Sequence, residues 1–306
     1  MHLPADLLLA LQTIPALAAT PQSAWRVERL GGVTNRNYRL RRDTGAGPAS
    51  DLSGDLSDDD FVLRLPGAGT SSYLNRPAGL HNAALAAEIG IAPAVVFSDV
   101  ERGWQLSRYL ADCRSLGADD LHDPQTLAAI GELLGHLQRA GGSFQHDMRP
   151  FAISDRYLAL APDPDLLRLR HQAKSIELEI ETGQVRRVPA HIDANPTNFL
   201  QAPDGTLHLI DWEFSAMADP CWDLATIVIE GALSPDEITA LLRAAGHVPD
   251  RAFLRRIDLF QCALCLVASS WAYVEIDAGN ADPVLRMFAE QRRDAFATWL
   301  AALVAS

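Results

Sequence analysis

The sequence is poor in cysteine, in positive charge and in long apolar runs, and each shortage excludes something. Four cysteines, at 113, 221, 262 and 265, stand among 306 residues with no secretory leader pattern. A disulfide framework is therefore not expected, and a reduced, cytoplasmic setting is. Cys262-x-x-Cys265 sits in an apolar helical run without a second pair, so it reads as two core thiols and not as a zinc or redox centre. No uninterrupted apolar run reaches the ~18 residues of a membrane span. Leu7, Leu8, Leu11 and Ile14 give residues 3–19 helical spacing, but the stretch lacks the Lys/Arg start of a signal peptide. Lys and Arg number 26 against 39 Asp and Glu, a formal net charge of -13. That balance argues against nucleic acid or an anionic membrane as partner, since both favour a basic face; it is compatible with a cationic ligand. There is no internal repeat. What remains is a soluble, globular composition, 48% apolar and 21% charged, in a chain long enough for a large core split between two lobes or domains.

The stretch with most chemical content is AHIDANPTNFLQAPDGTLHLIDWE, residues 190–213. Two apolar pieces, Phe199-Leu200 and Leu207-His208-Leu209-Ile210, flank Pro203-Asp204-Gly205, a turn signal in which glycine accepts the positive φ that hairpins need. A hairpin there gathers Asp193, Asn198 and Asp211 at one end of the paired strands. Two carboxylates and an amide oxygen make a hard-oxygen set suited to Mg²⁺. Phosphoryl transfer asks for little more: positioning, cations against the phosphate charge, and a group to receive the acceptor's proton.

The rest of the chain supplies a coarse frame. Residues 25–40 read strand, turn, strand, with Gly31-Gly32 in the turn, where bare backbone amides can approach a phosphate. Residues 41–60 read as a mobile acidic loop, and no Glu stands where a calcium loop needs it. Phe61 to Pro66 is a buried strand carrying one cation, Arg64, which wants a partner. A helix over 80–89, closed by Gly90, and strands over 94–98 and 104–108 follow. Beyond Pro124 the pattern is mainly helical. Leu127, Ile130, Leu134 and Leu137 share one face, 143–151 is a loop with His146 and Asp147, and one helix runs from Leu166 through Ile180 to Gly183. Further helices span 222–230, 252–276 and 283–304, and Ser234-Pro235-Asp236-Glu237 has capping-box spacing.

His191-x-Asp193-x-x-x-x-Asn198 followed by Ile210-Asp211-Trp212-Glu213 resembles the catalytic and metal motifs of the choline/ethanolamine kinase family, within the protein-kinase-like phosphotransferases that also include aminoglycoside kinases. Gly31-Gly32-x-Thr34-Asn35-x-x-Tyr38 resembles the phosphate loop of bacterial choline kinases. The resemblance implies an α+β, two-lobed, protein-kinase-like fold: an N-lobe over 1–108 with an antiparallel sheet and one helix, and a larger, mainly helical C-lobe over 109–306. It implies ATP and Mg²⁺ as cofactors. Gly31, Gly32, Thr34, Asn35 and Arg64 would face the nucleotide, Asn198 and Asp211 the metal, and Asp193 the acceptor hydroxyl, while Asp223 would brace the catalytic loop. One departure stands out. After Asn75-Arg76 the family places a Glu that pairs with the strand cation; this chain has Gly79, and Glu88 lies more than two turns further on.

Choline has no N–H, so aromatic faces and carboxylates are the physical means of holding it. By resemblance Trp271 matches the first of two family tryptophans, with Val274 at the second position, and Phe214 matches an aromatic next to the metal motif. Tyr273, Glu213 and Glu275 complete the expected acceptor set. A small cationic alcohol is thus the expected substrate, choline or ethanolamine. An aminoglycoside or other small-alcohol kinase remains open, as does a weakly active nucleotide-binding regulator, which Gly79 would allow. Oligomeric state is not readable.

Overall fold

A computed structural model describes residues 3–31, 35–43, 59–67, 73–140, 142–183 and 185–305. The chain forms two compact units, one of residues 1–114 with 201–213, the other of 115–200 with 214–306. This partition differs from the lobe division read from sequence chiefly in placing 201–213 with the N-terminal residues.

The first unit is built on a five-stranded antiparallel sheet in the order β1-β2-β3-β5-β4, formed by β1 (Trp25–Arg29), β2 (Asn35–Arg42), β3 (Asp60–Pro66), β4 (Val95–Asp99) and β5 (Trp104–Arg108). Two helices precede it, α1 (Ala5–Thr13) and α2 (Pro15–Ala18). Pro15 forces Ile14 into an extended conformation, ψ 118°, and so splits what the spacing predicted as one helix. Alternation along β3 puts Phe61, Leu63 and Leu65 on the face that Leu7, Leu11, Ile14 and Leu17 cover, as one buried cluster with Trp25, Tyr38, Leu40 and Leu106. The same alternation turns Arg64 to the opposite face. There the register sets it beside Asn37 of β2 and Gln105 of β5, with Asn35 further along the same face.

Helix α3 (Arg76–Glu88) starts four residues before the expected Leu80. Asn75 caps it by accepting the Ala78 N–H at 3.3 Å, and Pro77 occupies the first turn, where its missing N–H costs nothing. The segment 201–213 completes this unit. Its reversal is closed by Ala202 N–H to Thr206 C=O, 2.9 Å, with Gly205 at φ 88°, a conformation that a side chain would strain. Strand β6 (Arg114–Ser115) marks the passage to the second unit, and the chain crosses back inside β8 (Phe199–Gln201) before β9 (Leu207–Leu209).

The second unit is mainly helical: α4 (Pro124–Arg139), α5 (Pro150–Leu160), α6 (Pro164–Gln172), α7 (Lys174–Thr182), α8 (Cys221–Gly231), α9 (Pro235–Ala244), α10 (Arg251–Asp277) and α11 (Pro283–Ala305). Strand β7 (Val188–Ala190) pairs antiparallel with β10 (Ala216–Ala218). Helix α10 is the core element, packed by α5, α8 and α11. By length and composition it would pass as a membrane span, but 72% of its most apolar window is buried inside the protein. Cys262 and Cys265 lie in that buried stretch as free thiols. The capping box before α9 forms as its spacing predicted, Glu237 accepting the Ser234 N–H at 2.8 Å. Two expectations need correction. The single helix from Leu166 to Gly183 is two helices hinged at Ala173, and α5 was read only as the end of a loop. In the loop before α5, Asp147 is ion-paired to Arg187 at 2.5 Å and to Arg149 at 3.5 Å, which accounts for its charge structurally.

Candidate active site

In the second unit the loop after β7 is held in a conformation it would not adopt alone. Ile192 has φ 74°, a left-handed value that is an outlier for a β-branched residue. Three bonds hold it there. The Asp223 carboxylate, in the first turn of α8, accepts the N–H of His191 at 2.7 Å and of Ile192 at 2.8 Å. The indole N–H of Trp222 donates to the Ile192 carbonyl at 3.0 Å. Asp223 is fully buried, and burial pushes its carboxyl up to about 6 against the opposing pull of the two N–H donors. The bracing role implied by resemblance thus has a concrete geometry.

The braced loop presents Asp193. Its two carboxylate oxygens accept from different amides: Oδ1 from Asn195 Nδ2, and Oδ2 from Asn198 Nδ2 at 3.0 Å. The same Asn198 nitrogen donates to the Asp193 carbonyl at 2.8 Å. Asn198 ends a short 3₁₀ turn opened by Pro196. Its nitrogen is committed to Asp193, so its carbonyl oxygen is the atom directed elsewhere. A hard oxygen fixed in this way fits a magnesium ligand.

In the first unit the second motif carries the same backbone signature. Asp211 has φ 67°, and its Oδ1 lies 3.4 Å from Arg64 Nη1. Arg64 therefore pairs with an acid from the hairpin and not with one from α3. The Asp211 side chain is 31% exposed, an accessible carboxylate that also fits Mg²⁺. Beside it Trp212 is buried and donates its indole N–H to the Leu209 carbonyl at 2.9 Å. Glu213, expected next to the acceptor, is 6% exposed and accepts from Asn35 Nδ2; Asn35, expected at the phosphates, is 3% exposed. The Asn35 oxygen in turn accepts from Arg76 Nη1 at 3.2 Å. Burial is the main influence on Arg76 and lowers its pKa, with Arg64 adding to the effect and Glu213 opposing it. Of the other nucleotide-side candidates, Gly31 accepts from Asn37 Nδ2 at 3.1 Å, whereas Gly32 and Thr34 lie outside the described residues.

The acceptor candidates Phe214, Trp271 and Tyr273 belong to the second unit and are half-buried. Trp271 and Glu275 are one turn apart on α10 and share a face; the Trp271 indole N–H is buried without a protein partner among the described residues. Tyr273, two positions on, is turned well away from that face. Its electrostatic neighbours are Asp163, Arg293, Glu290 and Arg286. Trp271 and Tyr273 are therefore not brought together. Sequence reasoning missed Asn195 and gave Arg76 no site role. Asn195 lies between Asp193 and Asn198, so a polar side chain inside the motif was the available signal, and for Arg76 the signal was the Asn75-Arg76 pair itself.

Residues 26–257 match the phosphotransferase enzyme family. The chain is 28% identical to Protein LicA of Haemophilus influenzae over 220 residues, covering 70% of this chain and 60% of that protein. Its fold matches a choline/ethanolamine kinase family protein from Mesorhizobium loti at 25% identity, TM-score 0.76, covering 98% and 99% of the two chains. It also matches choline kinase LicA from Streptococcus pneumoniae at 21% identity, TM-score 0.79, covering 97% and 99%. With a small antiparallel sheet in one unit and a helical second unit, the chain has the fold of the choline/ethanolamine kinase family protein and belongs to the phosphotransferase enzyme family.

Proposed function

We propose that this protein transfers the γ-phosphoryl group of ATP to the hydroxyl of a small amino alcohol, choline or ethanolamine. The observation that carries the proposal is Asp193, its carboxylate fixed by two amides on a loop that Asp223 braces. In this reading Asp193 orients the substrate hydroxyl and takes its proton. The alcohol oxygen forms a bond to the γ-phosphorus as the bond to the β,γ-bridging oxygen breaks, and ADP leaves. Arg64 sets positive charge against the phosphates. Asn198 and Asp211 would hold magnesium, which when bound neutralises phosphate charge. AMP in a complex of LicA, a protein of this fold, supports adenine nucleotide use. In this reading residues 1–108 carry the phosphate loop and the strand cation Arg64, and 109–306 the catalytic and metal motifs and the acceptor pocket.

The cationic head group is met by aromatic faces, with Trp271 the first candidate and Phe214 the second, each ring contributing about 0.5–2 kcal/mol. The net charge of -13 suits a cationic substrate and disfavours nucleic acid. The test is ADP release measured with choline, ethanolamine, thiamine and aminoglycosides in parallel. The proposal expects release with choline or ethanolamine at least tenfold above the others. A clear preference for an aminoglycoside would replace the acceptor assignment.

A further inference from the structure

Gly79 reads as a lost acid. The first unit shows what stands in its place. A Cβ built on Gly79 would lie 3.0 Å from the Glu213 Cα, 3.2 Å from the Glu213 carbonyl oxygen and 3.3 Å from the Trp212 carbonyl oxygen. All three are backbone atoms, so a side chain here has no flexible neighbour to displace. Any residue but glycine pushes the 211–213 turn away from α3. At that point of closest approach Glu213 reaches Asn35, and Asn35 holds Arg76 at 3.2 Å. Arg64 and Arg76 are near enough to depress Arg76 electrostatically, and Glu213 is the acid that opposes this. Two arginines close enough to repel, Arg64 on β3 and Arg76 opening α3, need anionic company when no phosphate is present. Asp211 meets Arg64, and Glu213 meets Arg76 through Asn35.

We infer that Glu213 is a positioning residue for the nucleotide side of the reaction, supplying from the Asp211-Trp212-Glu213 turn the carboxylate that α3 lacks, and that Gly79 is the residue that admits it. The relay Glu213–Asn35–Arg76 holds Arg76 beside Arg64 as a second cation for the nucleotide phosphates. Glu213 then has no part in holding the cationic head group. The inference rests on the proposed use of ATP but not on the identity of the acceptor.

Two measurements on the full chain separate the possibilities: the dissociation constant of the magnesium complex of a non-hydrolysable ATP analogue, by calorimetry, and the KM for choline. Glu213→Gln keeps the shape and removes the charge. It should weaken analogue binding about tenfold and change the choline KM less than about twofold. Gly79→Ala should give the same one-sided defect with an unchanged circular dichroism spectrum. The double variant should be little worse than the worse single variant, because both act through one contact. Unaltered analogue binding in folded Glu213→Gln, or a defect confined to the choline KM, overturns the inference, and so does unaltered binding in Gly79→Ala. If the wild type turns over no alcohol while Glu213→Gln still weakens analogue binding, the acceptor assignment fails and the role of Glu213 stands.

Discussion

The Asp223 carboxylate accepts the Ile192 N–H at 2.8 Å while Ile192 holds φ 74°. A buried acid on α8 thus fixes the backbone one residue before Asp193. The arrangement sets opposing demands on Asp223. Two N–H donors favour its anion, and burial, the larger effect, favours its neutral form.

The sign of the resulting pH dependence follows. The folded pKa, about 6, lies above the ordinary 3.8. Between those values the folded state keeps a proton that the unfolded chain has released, so stability falls as pH rises through this window and levels off above it. The contribution is about 3 kcal/mol. Denaturant unfolding of wild type and Asp223→Asn from pH 3.5 to 7.5 checks it. The difference between the two curves should slope between pH 4 and 6 and be flat above 6.5. Asp223→Ala, which leaves both N–H groups unsatisfied, should cost about 2–4 kcal/mol below pH 4 and less as pH rises through the same window.

Asn195 is the residue whose removal tests the orientation of Asp193 most locally. Asn195→Ala removes one of the two amides on the carboxylate and leaves Asn198 in place. Turnover should fall about 10- to 100-fold with nucleotide affinity within about threefold, since misplacing a reacting group costs rate and not binding. Steady-state kinetics with a parallel binding isotherm reads both.

Trp271→Ala should raise the choline KM by about 2- to 30-fold, the equivalent of losing one cation–aromatic contact, and leave the ATP KM unchanged. Tyr273→Phe should change neither, because Tyr273 faces Arg293 and Glu290 and not the side of α10 shared by Trp271 and Glu275. An equal loss in both variants would contradict this division of the helix.

Arg64→Ala should weaken nucleotide binding about 10- to 100-fold, the range for a charge-assisted contact to phosphate, with the acceptor KM little changed. It should also leave Asp211 without its cation at 3.4 Å, so the magnesium requirement should shift in the same titration.

Several of these relationships were legible from the chain alone. Asp193 and Asn198 are five residues apart in a stretch too short to separate them, and Gly205 announces its turn by composition. Strand alternation alone puts Arg64 on the face opposite Leu63 and Leu65. Other relationships depend on which segments pack together, which no local pattern records. Gly79 looked like a missing charge because its role is a 3.0 Å approach of a distant turn. The Glu213 partner Asn35 is 178 positions away, beyond any local pattern. The break at Ala173 carries no glycine or proline and arises where two helices change direction against α10 and α11. Tyr273 lies about 200° round α10 from Trp271, a separation that helix spacing alone gives.

The central claim is that Asp193, on its braced loop, handles the proton of an alcohol that receives phosphate. Following phosphocholine formation from ATP by phosphorus NMR in wild type and Asp193→Ala tests it directly, with nucleotide binding measured on the same samples. The account predicts product with the wild type, turnover about 10²- to 10⁴-fold lower in the variant, and nucleotide affinity within about threefold. Near-normal product formation by a folded Asp193→Ala would contradict it.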